Sequence, residues 1–171
     1  MRSELEKLYA AIESIETAMM TTRRADGHLR SRAMANQKQA EGADLWFVAR
    51  DGTAKLTDLT HDQHVNLAYY RDSTRQWVSV SGTAIVSRDR AKIHELYAPD
   101  WKIWFPEEGD ARHGTPDDPR MVLIGVKVHA AEFLEVNSRP VILYEMVKGW
   151  LTGSEPEFGG MHELVEPRRP S

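Results

Sequence analysis

Two short segments carry basic residues in a pattern that suits a phosphate group. Arg30 and Arg32 alternate with the apolar Met34, so a strand here places cationic groups and then a polarisable one on the same face. The segment 51–55, Asp-Gly-Thr-Ala-Lys, brings a turn, an N-cap hydroxyl and Lys55 to the start of a helix, where free N–H groups favour anions. An arginine fork and a lysine point charge together suit a phosphomonoester. Each basic residue alone is also typical of a solvated surface, and spacing leaves both interpretations open.

A cluster of aromatic residues is the second candidate. Trp101, Trp104 and Phe105 lie within five positions and follow no clean periodicity. Rings at this density bury area in a core, in a subunit interface or against a flat ligand. Trp46 and Trp77 lie in predicted strands, where packing is the usual role.

Other residues that could do chemistry do not form a known catalytic pattern. His61 and His64 lack a carboxylate at a spacing that completes a metal site, so we interpret them as surface residues and predict no metal centre. The acidic pairs 107–108 and 117–118 lie in a polar loop and favour solvated carboxylates. The chain has no P-loop, G-x-G-x-x-G or G-x-S-x-G motif. We therefore expect a cofactor to supply any chemistry.

The elements that position these residues follow from apolar periodicity and turn signals. Ser3 and Glu6 form a capping box before a helix over residues 4–16. The remaining predictions are strands over 18–22, 28–37, 44–49, 65–70 and 76–86, a closing hairpin of 121–129 with 131–136, helices over 55–59, 88–97 and 140–151, and a loop over 106–119. Six or seven short strands with inserted helices favour a β-barrel over a βαβ sheet.

Composition limits the class of protein. The chain has 171 residues, 41% hydrophobic and 28% charged, with a net charge of −4 and no cysteine. These values indicate a globular domain and argue against disulfides and a dedicated nucleic-acid binder. Because the sequence shows neither a signal peptide nor a membrane span, we expect no membrane partner and a cytoplasmic location. We predict one domain over 1–152 and a flexible C-terminal tail over 153–171.

The order of several segments resembles the pyridoxamine 5′-phosphate oxidase-like flavoproteins. The segments are Ser31-Arg32-Ala33-Met34, Leu45-Trp46-Phe47-Val48-Ala49, Lys55-Leu56-Thr57-Asp58-Leu59, Val65-Asn66-Leu67-Ala68-Tyr69 and Trp77-Val78-Ser79-Val80-Ser81-Gly82-Thr83-Ala84. Trp104-Phe105-Pro106 and Asp118-Pro119-Arg120 are similar to the general stress protein 26 branch. The similarity covers roughly residues 4–136.

This resemblance implies a mainly β (α+β) fold, a six- to seven-stranded antiparallel split β-barrel with flanking helices. It also implies a homodimer with FMN bound between the subunits. Arg32 and Lys55 would hold the FMN phosphate with help from Thr53, and the other residues would surround the isoalloxazine ring. The implied cofactor-binding set is Arg32, Ala33, Met34, Phe47, Val48, Ala49, Thr53, Lys55, Trp77, Trp101 and Trp104.

The function implied is that of an FMN-binding general stress protein, a flavin-dependent oxidoreductase with NAD(P)H as an electron donor. True pyridoxamine phosphate oxidases carry an arginine-rich C-terminal substrate segment, which residues 163–169 match poorly, so that activity is not expected. Two alternatives remain open. One is a flavin sensor or store without turnover. The other is a split barrel that binds deazaflavin or heme, with His94, His113 and His129 as the candidate heme ligands.

Overall fold

The computed structural model describes residues 3–136, 139–157 and 159–165, which form a single antiparallel sheet with flanking helices. The strands are β1 (Thr17–Arg23), β2 (Leu29–Ala35), β3 (Leu45–Arg50), β4 (His64–Arg71), β5 (Gln76–Ser87), β6 (Met121–Val136) and β7 (Gly159–Val165). The helices are α1 (Glu4–Ile15), α2 (Ala54–His61), α3 (Arg90–Leu96) and α4 (Arg139–Thr152), with a 3-10 helix over Pro99–Trp104.

The sheet is strongly curved and does not close. Its strand order is β2-β1-β4-β5-β6-β3, and β7 pairs with the second half of β6. The edge strands β2 and β3 approach each other at one end, where the Gln37 N–H donates to the Trp46 carbonyl at 2.9 Å. The predicted antiparallel split barrel with flanking helices is confirmed.

Side chains alternate along β3 and separate two apolar cores. Leu45, Phe47 and Ala49 pack into the barrel interior, which α1 covers with Leu8 and Ile12. The opposite face of β3 packs against α3 and the 3-10 helix. That second core consists of Trp46, Ile93, Leu96, Trp101, Phe105, Met121 and Leu123.

The predicted closing hairpin is wrong, because residues 121–136 form one continuous strand. The pairing with β5 skips His129, since Ser81 lies opposite Ala130 and Gly82 opposite Val128. Such a bulge interrupts the alternation of apolar and polar residues as a turn would.

The predicted C-terminal tail is wrong for residues 159–165, which form β7. Its strand pattern is weak in sequence, and the free edge of β6 supplies the pairing, from Ala130–Val165 to Val136–Gly159. His162 stacks on Phe133 with ring centroids 5.1 Å apart. Residues 166–171 of the predicted tail lie outside the described residues.

No helix in the described part of the chain is long and apolar enough to cross a membrane.

Candidate functional site

A cavity of about 410 Å3 lies where the sheet fails to close, between the edge strands β2 and β3. The start of α2 and the 3-10 helix complete its wall. The lining residues are Arg32, Ala33, Met34, Ala35, Gln37, Val48, Ala49, Arg50, Thr53, Lys55, Asp100, Trp101, Trp104 and Phe105. The volume is in the range of small-molecule sites.

Arg32 is held in place by three neighbours at the polar end of the cavity. Its Nη1 donates to the Thr22 hydroxyl at 2.6 Å and to the Arg30 carbonyl at 3.2 Å, and its Nη2 donates to Asp58 Oδ2 at 3.3 Å. Since a guanidinium carries five N–H donors, donors remain for a ligand in the cavity.

Asp58 is the buried anchor of this end. Its carboxylate is 4% exposed and accepts from the Thr22 hydroxyl at 2.7 Å and from both Arg30 and Arg32. Burial alone would raise its pKa, but the hydrogen bonds from Arg30 and Thr22 hold the pKa of Asp58 below its ordinary value. Arg30 is therefore committed to Asp58 and does not line the cavity.

Lys55 is the second cation of the cavity and has no carboxylate partner among the described residues. Burial and the nearby charge of Arg32 both lower the pKa of Lys55. Arg32 shares the buried Asp58 carboxylate with Arg30, and Lys55 lies beside Arg32 without a carboxylate of its own in the described part of the chain. This end of the site is therefore electropositive, which favours a bound anion.

Backbone groups at the start of α2 add to the polar end. The Thr53 hydroxyl donates to the Arg50 carbonyl at 2.9 Å and does not cap the helix. The first N–H groups of α2 therefore have no side-chain cap, and they lie beside Lys55.

The opposite end of the cavity is apolar. Met34, Ala49, Trp101 and Phe105 are each at most 6% exposed. Trp101 is fixed by its indole N–H, which donates to Gln37 Oε1 at 2.7 Å. A wall of this kind, next to a cationic end, fits a molecule with a phosphate and a flat apolar ring.

Nine of the eleven residues predicted to bind cofactor line this one cavity. The other two are Phe47 and Trp77. The Phe47 side chain packs into the barrel core, while Trp77 is half-buried on the outer face of β5 beside Tyr70. Their role in a site remains a prediction.

Five wall residues were missed by sequence reasoning: Ala35, Gln37, Arg50, Asp100 and Phe105. Strand alternation could have predicted Arg50, because it lies on the same face of β3 as Val48. Gln37 and Asp100 lie outside regular strands, and nothing in the sequence marks them.

None of the three candidate heme ligands lines the cavity. His94 contacts Asp117 at 2.8 Å, and His129 contacts the Thr83 hydroxyl at 2.7 Å. The described residues contain no group of three or more side chains suited to a metal ion.

The chain is similar in sequence to known proteins. The sequence model of the family described as "Pyridoxamine 5'-phosphate oxidase like" matches residues 3–157. Protein bli-3 of Neurospora crassa is 33% identical over 168 residues, which cover 95% of this chain and 80% of that protein.

Solved structures share the fold. A general stress protein 26 of Jannaschia sp. has a TM-score of 0.71 at 22% identity and covers 94% of this chain and 96% of its own. A general stress FMN/FAD binding protein of Xanthomonas citri has a TM-score of 0.62 at 25% identity, covering 79% of this chain and 91% of its own.

Proposed function

Because the chain belongs to the pyridoxamine 5′-phosphate oxidase-like family, we propose that it binds FMN in the cavity between β2 and β3 and acts as a flavin-dependent oxidoreductase of the general stress type. The observation that carries the proposal is that Arg32 and Lys55 line one cavity and that nearby carboxylates do not balance their positive charge. The name of the Xanthomonas citri protein includes FMN/FAD binding, which agrees with this ligand class.

Bound FMN would supply hydride or electron transfer at its ring, and the protein would bind and orient it. Arg32 and Lys55 bind the phosphate, assisted by Thr53 and the first N–H groups of α2. The ring end is formed by Ala33, Met34, Val48, Ala49, Trp101 and Trp104. The buried members of this set would keep water away from the ring.

The proposal includes a homodimer with the site between two copies. The cavity lies at an open edge of the sheet, and the outer sheet face exposes Met19 and Tyr70 at 44% and 55%. Trp77 lies on that outer face, outside its own cavity, so only a second copy could bring it to the cofactor. NAD(P)H as electron donor and a cytoplasmic location complete the proposal.

A flavin store or sensor without turnover is the second candidate function. Among the residues that the structure describes, the cavity wall has no histidine or tyrosine, and its one carboxylate is Asp100. This scarcity of proton donors and acceptors favours binding over acid–base chemistry. Sustained reduction of an acceptor by NADH or NADPH would exclude the pure binding role.

FMN titration of two variants tests the phosphate assignment. We expect Lys55→Gln and Arg32→Gln each to weaken FMN binding by about 1.5–3 kcal/mol, since each removes one charge-assisted contact. Riboflavin, which lacks the phosphate, should bind both variants as it binds the unaltered protein. Arg24→Gln is the control, because Arg24 lies in the exposed turn between β1 and β2 and does not line the cavity. Unchanged FMN affinity in Lys55→Gln, which breaks no ion pair within the described part of the chain, would refute the site.

A further inference from the structure

The cavity contains a third cation, Arg50, which is separate from the phosphate end. Arg32 is held by Thr22 on β1 and Asp58 on α2, whereas the side chain of Arg50 contacts Glu108 in the loop before β6. Arg50 is the last residue of β3 and is 40% exposed. Its side chain therefore both lines the cavity and is open to solvent.

The counter-ion of Arg50 comes from outside the cavity wall. Arg50 Nη2 donates to Glu108 Oε1 at 2.7 Å, and Glu108 also contacts Arg120 Nη1 at 3.1 Å. The contact to Arg50 uses one donor, and Nε and Nη1 of Arg50 have no acceptor among the residues the structure describes. An exposed pair of this kind contributes little to stability, so another anion can replace Glu108 at small cost.

The loop that carries Glu108 is fixed independently of this pair. Arg120 donates to the buried Asp118 at 2.7 Å and to the Pro106 carbonyl at 3.0 Å. Glu108 can therefore release Arg50 while the backbone of the loop keeps its place.

A flat apolar side chain lines the same cavity and is open to solvent. Trp104 lines the cavity and is 65% exposed, which is unusual for a ring of this size. An arginine fork and an exposed indole that line one cavity suit a carboxylate on a planar body, because the fork binds both oxygens and the indole covers the ring.

We propose that Arg50 and Trp104 form a second subsite at the mouth of the cavity, which binds the carboxylate of a small planar substrate, and that Glu108 occupies Arg50 until the substrate displaces it. The subsite rests on the proposed flavin function in that its ligand would be the molecule that exchanges electrons with the cofactor. It assigns that molecule to the class of aromatic or conjugated carboxylates.

The test uses benzoate as the probe and benzamide as its neutral counterpart. Calorimetry in saturating FMN, which fills the Arg32–Lys55 end, measures probe binding, and a separate FMN titration measures the cofactor site. We expect benzoate to bind at least tenfold more tightly than benzamide. Glu108→Gln should tighten benzoate binding about three- to tenfold by removing the competing carboxylate, whereas Arg50→Gln should weaken it at least tenfold.

Two controls make the test specific. Glu107→Gln removes a neighbouring exposed carboxylate that has no partner among the described residues, and it should leave benzoate affinity unchanged. Arg50→Lys retains the charge without the fork and should bind benzoate with intermediate affinity. Each of the four variants should bind FMN with a dissociation constant within about threefold of that of the unaltered protein.

Three results would overturn the subsite. These are equal binding of benzoate and benzamide, no tightening in Glu108→Gln, or a loss of FMN affinity in Arg50→Gln, which would assign Arg50 to the phosphate end. Failure of the unaltered protein to bind FMN would refute the proposed function instead, while calorimetry on the same protein would still decide the benzoate question.

Discussion

At the scale of single residues, Asp58 determines where the cations of the site point. It follows Lys55 by three positions in α2, and its side chain reaches across to β2 and β1. Arg30 binds both carboxylate oxygens of Asp58 and therefore does not line the cavity, whereas Arg32 keeps N–H donors for a ligand. The alternation of Arg30, Arg32 and Met34 in sequence places all three on one face, but it does not reveal which arginine is neutralised.

We predict that Asp58→Asn destabilises the protein by on the order of 2 kcal/mol, since it leaves two cations without their shared counter-ion. The expected value is below that for a fully buried pair because Arg30 and Arg32 are 37% and 22% exposed. Urea denaturation measures the change in the free energy of unfolding. Asp72→Asn, which affects an exposed pair with Arg75, should leave the free energy of unfolding unchanged within experimental error. Equal stability of the two variants would contradict the anchoring role.

At the scale of elements, the loop between the 3-10 helix and β6 is more ordered than its composition indicates. The pair 117–118 was interpreted as solvated, but Asp118 is 0% exposed and accepts from the Gly114 N–H at 2.8 Å as well as from Arg120. Arg120 also lies over the Phe105 ring at 6.0 Å. This ion pair therefore joins the loop to the wall of the cavity.

The stabilising effect of Asp118 should depend on pH. Hydrogen bonds from Arg120 hold the pKa of Asp118 well below its ordinary range, against the opposing effect of burial. A carboxyl whose pKa is lowered by folding stabilises the protein fully above its unfolded value, about 3.9, and loses that effect as the pH falls below it.

We predict that Asp118→Asn destabilises the protein by about 3 kcal/mol at pH 6 and that the difference narrows when both proteins are measured at pH 3. Urea unfolding across this pH range checks both statements. Asp117→Asn is the matched control, because Asp117 is 60% exposed and should change neither stability nor its pH dependence. A difference that stays constant from pH 6 to pH 3 would contradict the conclusion that the ionised form of Asp118 is what stabilises the fold.

The elements differ in how far local sequence determines them. The boundaries of α1 follow from its capping box, which the structure contains, with the Glu6 N–H donating to Ser3 at 3.2 Å. The bulge at His129 and the pairing of β7 depend on partner strands that are distant in sequence, so periodicity alone missed both. The same limit applies to the candidate site. Alternation in the sequence predicted the lining residues that lie on regular strands, but it did not predict Gln37 and Asp100.

At the scale of the whole molecule, the incomplete closure of the sheet creates the site. Strands β2 and β3 are not paired in the sheet, and they approach each other at one end, where Gln37, two residues beyond β2, donates its N–H to the Trp46 carbonyl of β3. Edge strands with free backbone groups normally need cover. In this protein the 3-10 helix covers one side, and the proposed second copy would cover the other.

Trp77 provides the test of this arrangement, because it lies outside the cavity of its own chain. If two copies form the site, we expect Trp77→Ala to weaken FMN binding by about tenfold while the protein remains dimeric, since an aromatic contact is lost but little of the interface. FMN titration with light scattering on the same sample measures both properties. Trp150→Ala, on α4 and 85% exposed, should leave FMN affinity unchanged. A monomer that binds FMN as tightly after Trp77→Ala as before would mean that each chain forms its site alone, and that β2, β3 and the 3-10 helix are sufficient to hold the cofactor.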